Sequence, residues 1–253
     1  MTIAGIQQPE HLPWLGFFDK MQRCDIYVYL DNVQFKKRYF ENRNRILSQH
    51  TWQWVTVPVM TKGRYKQLIR DVHIDQSRNW KQVYVKRIYH QYCRFPFFDE
   101  IFPQLKKIIN SDHERLLDLN LELIDMFRHI VDIQTPVVSA SDLGLDDLNG
   151  SQLILEICSA VNADQYISGP DGVNYLDLNA FRHRGIDVNY HTYEHPQYVQ
   201  RNSEEFISHL SALDALMNIG AKETRRLFSR ETMSPAAETE RNGRDLRSRR
   251  KDG

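Results

Sequence analysis

Several short stretches of the chain carry side chains able to bind or transform a small molecule. The first is Ile6-Gln7-Gln8-Pro9-Glu10-His11-Leu12-Pro13-Trp14, where paired glutamines, a histidine and a tryptophan surround two prolines. Glutamine both donates and accepts hydrogen bonds, an imidazole can hold or pass a proton near neutral pH, and an indole can wall a pocket. Gln8, His11 and Trp14 are therefore candidate pocket residues. The plainer account is that Gln8 and His11 satisfy backbone groups in a tight turn. The second stretch, residues 33–46, sets Lys36, Lys37, Arg38, Arg43 and Arg45 against the single acid Glu41, with Phe35, Tyr39 and Phe40 between them. Lysine and arginine pair with phosphate, and aromatic faces stack on rings, so Lys37, Arg43 and Asn44 are candidate ligands of a phosphate or carboxylate. A solvated hairpin with alternating charged and aromatic residues would use the same letters.

Asp31 closes the β-branched and aromatic run that begins at Ile26, a position from which it can contact a ribose or a metal, or simply cap a loop. Ser168-Gly169-Pro170-Asp171-Gly172-Val173-Asn174-Tyr175 places two glycines and a proline between a predicted strand and a predicted helix. Such a turn exposes backbone N–H groups to an anion, which makes Gly169, Asp171, Gly172 and Tyr175 candidates, although the spacing is not that of a nucleotide-binding loop. His195 follows the last predicted strand and is the candidate general base. His191 and His195 stand four apart on a strand-to-loop path, not on a helix, so no metal site is assigned. No Gly-x-Ser-x-Gly elbow is present, and Cys24, Cys93 and Cys158 lack an activating context.

These residues need a scaffold, and the periodicity supplies one. Strands are expected at 2–6, 25–31, 45–47, 51–59, 135–140, 165–168 and 187–193, with an extended piece at 69–74. Helices are expected at about 13–23, 78–93, 97–110, 113–132 (capped by Ser111 or Asp112), 151–161 and 176–184, the last closed by Gly185. A final helix is expected over 203–228, interrupted near Asn218-Ile219-Gly220. Alternation of strand and helix at both ends of the chain predicts an α/β fold: a mainly parallel sheet flanked by helices, with a helical insertion in the middle. One domain is expected over 1–232, with its helical lobe at about 77–132. Residues 233–253 are rich in Arg, Glu, Ser, Asn and Gly and are expected to form a disordered tail.

Over 253 residues, Lys plus Arg and Asp plus Glu both total 33, so overall charge gives no reason to expect a nucleic-acid partner. The three widely spaced cysteines favour reduced thiols in a cytoplasmic protein. No stretch approaches the roughly 20 apolar residues of a membrane span.

Taken together, the stretches resemble the WbqC-like family, which is found among bacterial surface-polysaccharide and O-antigen gene clusters. The resemblance rests on Ile6-Gln7-Gln8-Pro9 with Leu12-Pro13-Trp14-Leu15-Gly16-Phe17-Phe18, Leu30-Asp31 with Val33-Gln34-Phe35 and Lys37-Arg38, and Asn42-Arg43-Asn44. It continues through Thr56-Val57-Pro58-Val59, Ser168-Gly169-Pro170-Asp171-Gly172 with Tyr175-Leu176-Asp177, and His195-Pro196 with Tyr198 and Gln200. It implies a transferase of glycine or another small acyl group onto an amino sugar. Where the family usually carries an aromatic before Leu-Pro-Trp this chain has His11, so His11 is kept as a pocket residue and not as the shared base. The expected partner is a small molecule, a phosphate-containing sugar or acyl donor; the cofactor is left open between an acyl donor and ATP. The alternatives are ATP-dependent amide formation through an acyl-adenylate and a non-catalytic sugar-nucleotide binding protein of a glycan assembly complex.

Overall fold

Short β-branched and aromatic runs alternate with amphipathic helices to build the central sheet of the computed structural model, which describes residues 1–49, 51–228 and the pair 234–235. Strands β1 (Ile3–Gln7), β2 (Ile26–Tyr29), β5 (Val137–Ser139), β6 (Gln165–Ser168) and β7 (Asp187–Tyr190) are parallel, in the order β5-β2-β1-β6-β7. The two-residue β8 (Ser234–Pro235) pairs antiparallel with β7. The rest of the expected tail lies outside the described residues. From β1 the chain builds outward through β2 to β5, then returns to the other side of β1 for β6 and β7. Strand order therefore reverses between β1 and β6, the place where open α/β sheets bind ligands at their carboxyl ends.

Side chains alternate across this sheet and seed two cores. Tyr27, Tyr29 and Ile167 face α1 (Leu15–Gln22) and the insertion helices α2 (Trp80–Tyr92), α3 (Phe98–Asn110) and α4 (Leu116–Ile130). Ala4, Ile6, Val28 and Tyr166 face α5 (Gly150–Ala160) and α6 (Leu178–His183). One apolar cluster thus joins the sheet to the insertion. The insertion also contains an antiparallel hairpin, β3 (Arg43–Ser48) and β4 (Thr51–Thr56). No described helix is long and apolar enough to cross a membrane.

Local differences from the sequence expectation have identifiable causes. Ser111 and Asp112 do not cap α4, which begins after Arg115 with no side-chain cap. Ser111 serves the end of α3 instead, its Oγ donating to Lys107 O, and Asp112 pairs with Lys81 of α2 at 3.4 Å. Residues 69–74 contain a 3-10 turn, Ile69–Asp71, followed by isolated bridges from His73 to Arg115 and from Ile74 to Val59. The last helix, α7 (Ala212–Arg226), starts later than 203 because Ser211 caps it by accepting from Leu213 N. Gly220 kinks it with φ 73°, and a Cβ there would meet the Phe97 ring at 2.5 Å.

Candidate active site at the carboxyl edge of the sheet

A cavity of about 380 Å³ opens at the switch point. The turn after β1 forms one wall and the 169–175 turn after β6 the other, with Leu30 from the end of β2 and His191 from the end of β7 completing it. The opening turn and the glycine turn, far apart in the chain, therefore face one space because their strands are neighbours in the sheet.

The cavity floor holds an amine and a carboxyl group. Helix α1 buries Phe17, Phe18 and Met21 against the sheet, and between them Lys20 is directed back under β1 with 2% of its surface exposed. Its Nζ donates to Ile6 O at 2.8 Å and to Gln7 Oε1 at 3.2 Å. Gln7 Nε2 in turn donates to Glu10 Oε1 at 3.0 Å, while Glu10 Oε2 is shielded without a partner. Burial draws the Lys20 ammonium down to about 8 and pushes the Glu10 carboxyl up to about 7. Two of the three ammonium hydrogens are committed to these acceptors, which leaves one for a molecule in the cavity.

Beside them, Asp19 is fully buried, pairs with Arg23 at 2.7 Å and lies 2.8 Å from His191 Nε2, which fixes the imidazole in the cavity wall. Trp14 lines the opposite side, its ring stacked against His195 and His209 with centroids 6.3 and 5.2 Å away. Gly16 makes that position attainable, because a Cβ there would fall 2.3 Å from the indole. Gly16→Ala is expected to displace Trp14, shift its indole fluorescence and NMR signals, and lower stability by about 1–3 kcal/mol from overpacking. Unchanged Trp14 signals in the folded variant would show that the ring is not held there.

Of the residues singled out from the sequence, Gln8, Trp14, Gly169, Asp171, Gly172 and Tyr175 line this cavity. His11 does not: it is fully buried, with Nδ1 2.9 Å from Asn120 Oδ1 and Nε2 2.7 Å from Tyr84 Oη. Asn44 is also buried and donates to the backbone oxygens of His11 and Leu12, so its amide holds the opening turn in shape. Asp31 accepts from Ser141 N and Oγ, tying the end of β2 to the segment after β5. Lys37 is exposed, and Arg43 lies on the hairpin over the Trp54 ring. His195 sits behind Trp14, its Nδ1 donating to Pro196 O at 3.0 Å and its Nε2 shielded without a partner; burial draws its pKa down to about 4.

Sequence reasoning misses Lys20 and Glu10. The available signal is the pair Asp19-Lys20 interrupting Leu15-Gly16-Phe17-Phe18 and Met21, in a helix of 8 residues whose apolar positions already surround it. A charged pair so enclosed must be satisfied inside.

The profile of the WbqC-like protein family matches residues 8–226 of the chain. Among relatives, the uncharacterized protein Rv1507c of Mycobacterium tuberculosis is 31% identical over 223 residues, covering 88% of this chain and 96% of that one. No solved structure matches.

Proposed function

The chain belongs to the WbqC-like protein family, and from that premise we propose that it transfers an acyl or aminoacyl group onto the amino group of a sugar destined for a bacterial surface polysaccharide. The observation that supports this reading best is the Lys20–Gln7–Glu10 chain in the cavity at the carboxyl edge of the sheet. Acyl transfer to an amine needs a base for the attacking nitrogen and a donor for the oxygen that becomes negative.

Glu10 is the base in this scheme. With a pKa near 7 its carboxylate takes a proton from the attacking ammonium and can return it to the leaving group. Lys20 turns its remaining N–H toward the acyl carbonyl and stabilises the oxyanion as the N–C bond forms; the bond from the acyl carbon to the leaving group then breaks. Gly169, Gly172 and Tyr175 shape the wall against which the sugar lies, and Gln8 and Trp14 bound it on the other side. This assignment takes the base role away from His195, which lies outside the cavity lining and, with a pKa of about 4, holds protons poorly at pH 7.

The test is incubation of the protein with nucleotide-linked amino sugars and a panel of acyl and aminoacyl donors, with mass spectrometry of the products. An N-acylated sugar is expected, with turnover lowered about 100-fold or more in Glu10→Gln and changed less than about 5-fold in His195→Gln. Absence of any acylated sugar across the panel would overturn the reaction, and the opposite ranking of the two variants would restore His195 as the base.

A further inference from the structure

The hairpin beside the cavity carries a pattern that the scheme above does not use. Period-two alternation puts Arg43 and Arg45 of β3 on one face, and Trp52 and Trp54 of β4 on the same face. The pairs meet diagonally: the Arg43 guanidinium lies 4.0 Å from the Trp54 ring centroid and that of Arg45 lies 5.4 Å from Trp52. These cation–π contacts hold both guanidiniums against the indole faces without using up their N–H donors.

Among the described residues, Arg38, Arg43 and Arg45 form no ion pair, and the Nε atoms of Arg43 and Arg45 are shielded without a hydrogen-bond partner. Three unneutralised cations gathered around a concavity of about 350 Å³ repel one another unless an anion joins them. The concavity is not remote from the cavity, because Tyr39 lines both.

We propose that this Arg38–Arg43–Arg45 face, floored by Trp52 and Trp54, is a subsite for the diphosphate of a carrier-linked sugar. The guanidinium edges take the phosphate oxygens, and the sugar passes over Tyr39 into the cavity. The inference rests on the reading of the cavity as a site for an amino sugar, and it names the substrate class as a sugar diphosphate ester. A nucleotide and a lipid carrier both supply that group.

The experiment uses the full chain labelled with nitrogen-15, whose indole N–H signals come from Trp14, Trp52, Trp54 and Trp80. Titration with inorganic pyrophosphate is expected to move the Trp52 and Trp54 signals and to leave that of Trp80, buried at the start of α2, in place. Arg43→Gln combined with Arg45→Gln is expected to weaken binding at least tenfold, and Arg38→Gln, at the exposed rim, about two- to fivefold; the single variant keeps the test informative if the double variant does not fold. Tighter binding of uridine diphosphate than of pyrophosphate identifies the nucleotide source. Arginine-dependent retention on phosphatidic acid vesicles without a response to uridine diphosphate identifies the lipid source; either result supports the site. Shifts confined to Trp14, or equal binding by the folded arginine variants, overturn it. Because the readout is binding, loss of acylation with pyrophosphate binding intact removes the reaction alone, and the converse removes this subsite alone.

Discussion

Lys20→Met is expected to lower turnover about 100- to 1000-fold, the usual loss when one donor to a developing oxyanion is removed. The side chain is almost wholly buried, and its two protein acceptors, Ile6 O and Gln7 Oε1, hold the ammonium at the cavity floor. Methionine keeps most of the volume while removing the donor. Removing the desolvated ammonium is offset by the loss of the donor to Ile6 O and Gln7 Oε1, so fold stability should fall by about 1–3 kcal/mol. A large fall in kcat in a variant that is still fully folded at the assay temperature is therefore the signature.

The pH profile gives a second readout of the same residue. Glu10 must be deprotonated to act, so the rate should rise as pH passes about 7; Lys20 must stay protonated, so it should fall as pH passes about 8. The wild type should show a narrow bell. Lys20→Met should lose the alkaline limb and Glu10→Gln the acidic one. A bell that survives both substitutions would assign its limbs to other groups.

His11→Ala is expected to lower stability by about 3–5 kcal/mol, measured by denaturant unfolding. The imidazole touches Asn120 and Tyr84 in a place that water does not reach, so truncation leaves polar groups unpaired, each costing about 1–3 kcal/mol, and adds a void. The effect should depend on pH. Burial draws the pKa of His11 down from 6.5 to about 4, so the unfolded chain binds the proton more readily. Stability from the neutral imidazole is then fully present above pH 6.5 and is lost as pH falls toward 4. The shift corresponds to about 3 kcal/mol.

Glu10 and Glu41 act in the opposite sense. Burial raises both from 4.5 to about 7, so their contribution is present below 4.5 and is lost as pH rises toward 7. The pH dependence of the wild type mixes these groups, and comparison with His11→Gln isolates the histidine. The stability difference between the two proteins should shrink by about 3 kcal/mol between pH 7 and pH 4. A constant difference would mean that His11 is not held neutral by burial.

Much of this architecture is legible along the chain. The short strands, the helices between them and the glycine closing α6 follow from periodicity and end signals that neighbouring residues carry themselves. Helix boundaries are less legible where a residue has two available duties. Ser111 has the chemistry of an N-cap for α4, yet its hydroxyl bonds back to Lys107, and only the packing of α3 against α4 decides which helix it serves.

The candidate site divides in the same way. Neighbouring residues alone mark the turns after β1 and β6 as polar, rigid and set at strand ends, because these are relations between residues a few positions apart. Which polar groups reach the cavity depends instead on how distant elements pack. His11 meets an asparagine 109 residues away and leaves the site for the core, whereas Lys20, next to Asp19 on a largely apolar helix, is brought beneath β1 beside Glu10. A polar side chain among apolar neighbours must find a partner inside the fold, and the nature of that partner depends on which distant elements pack around it.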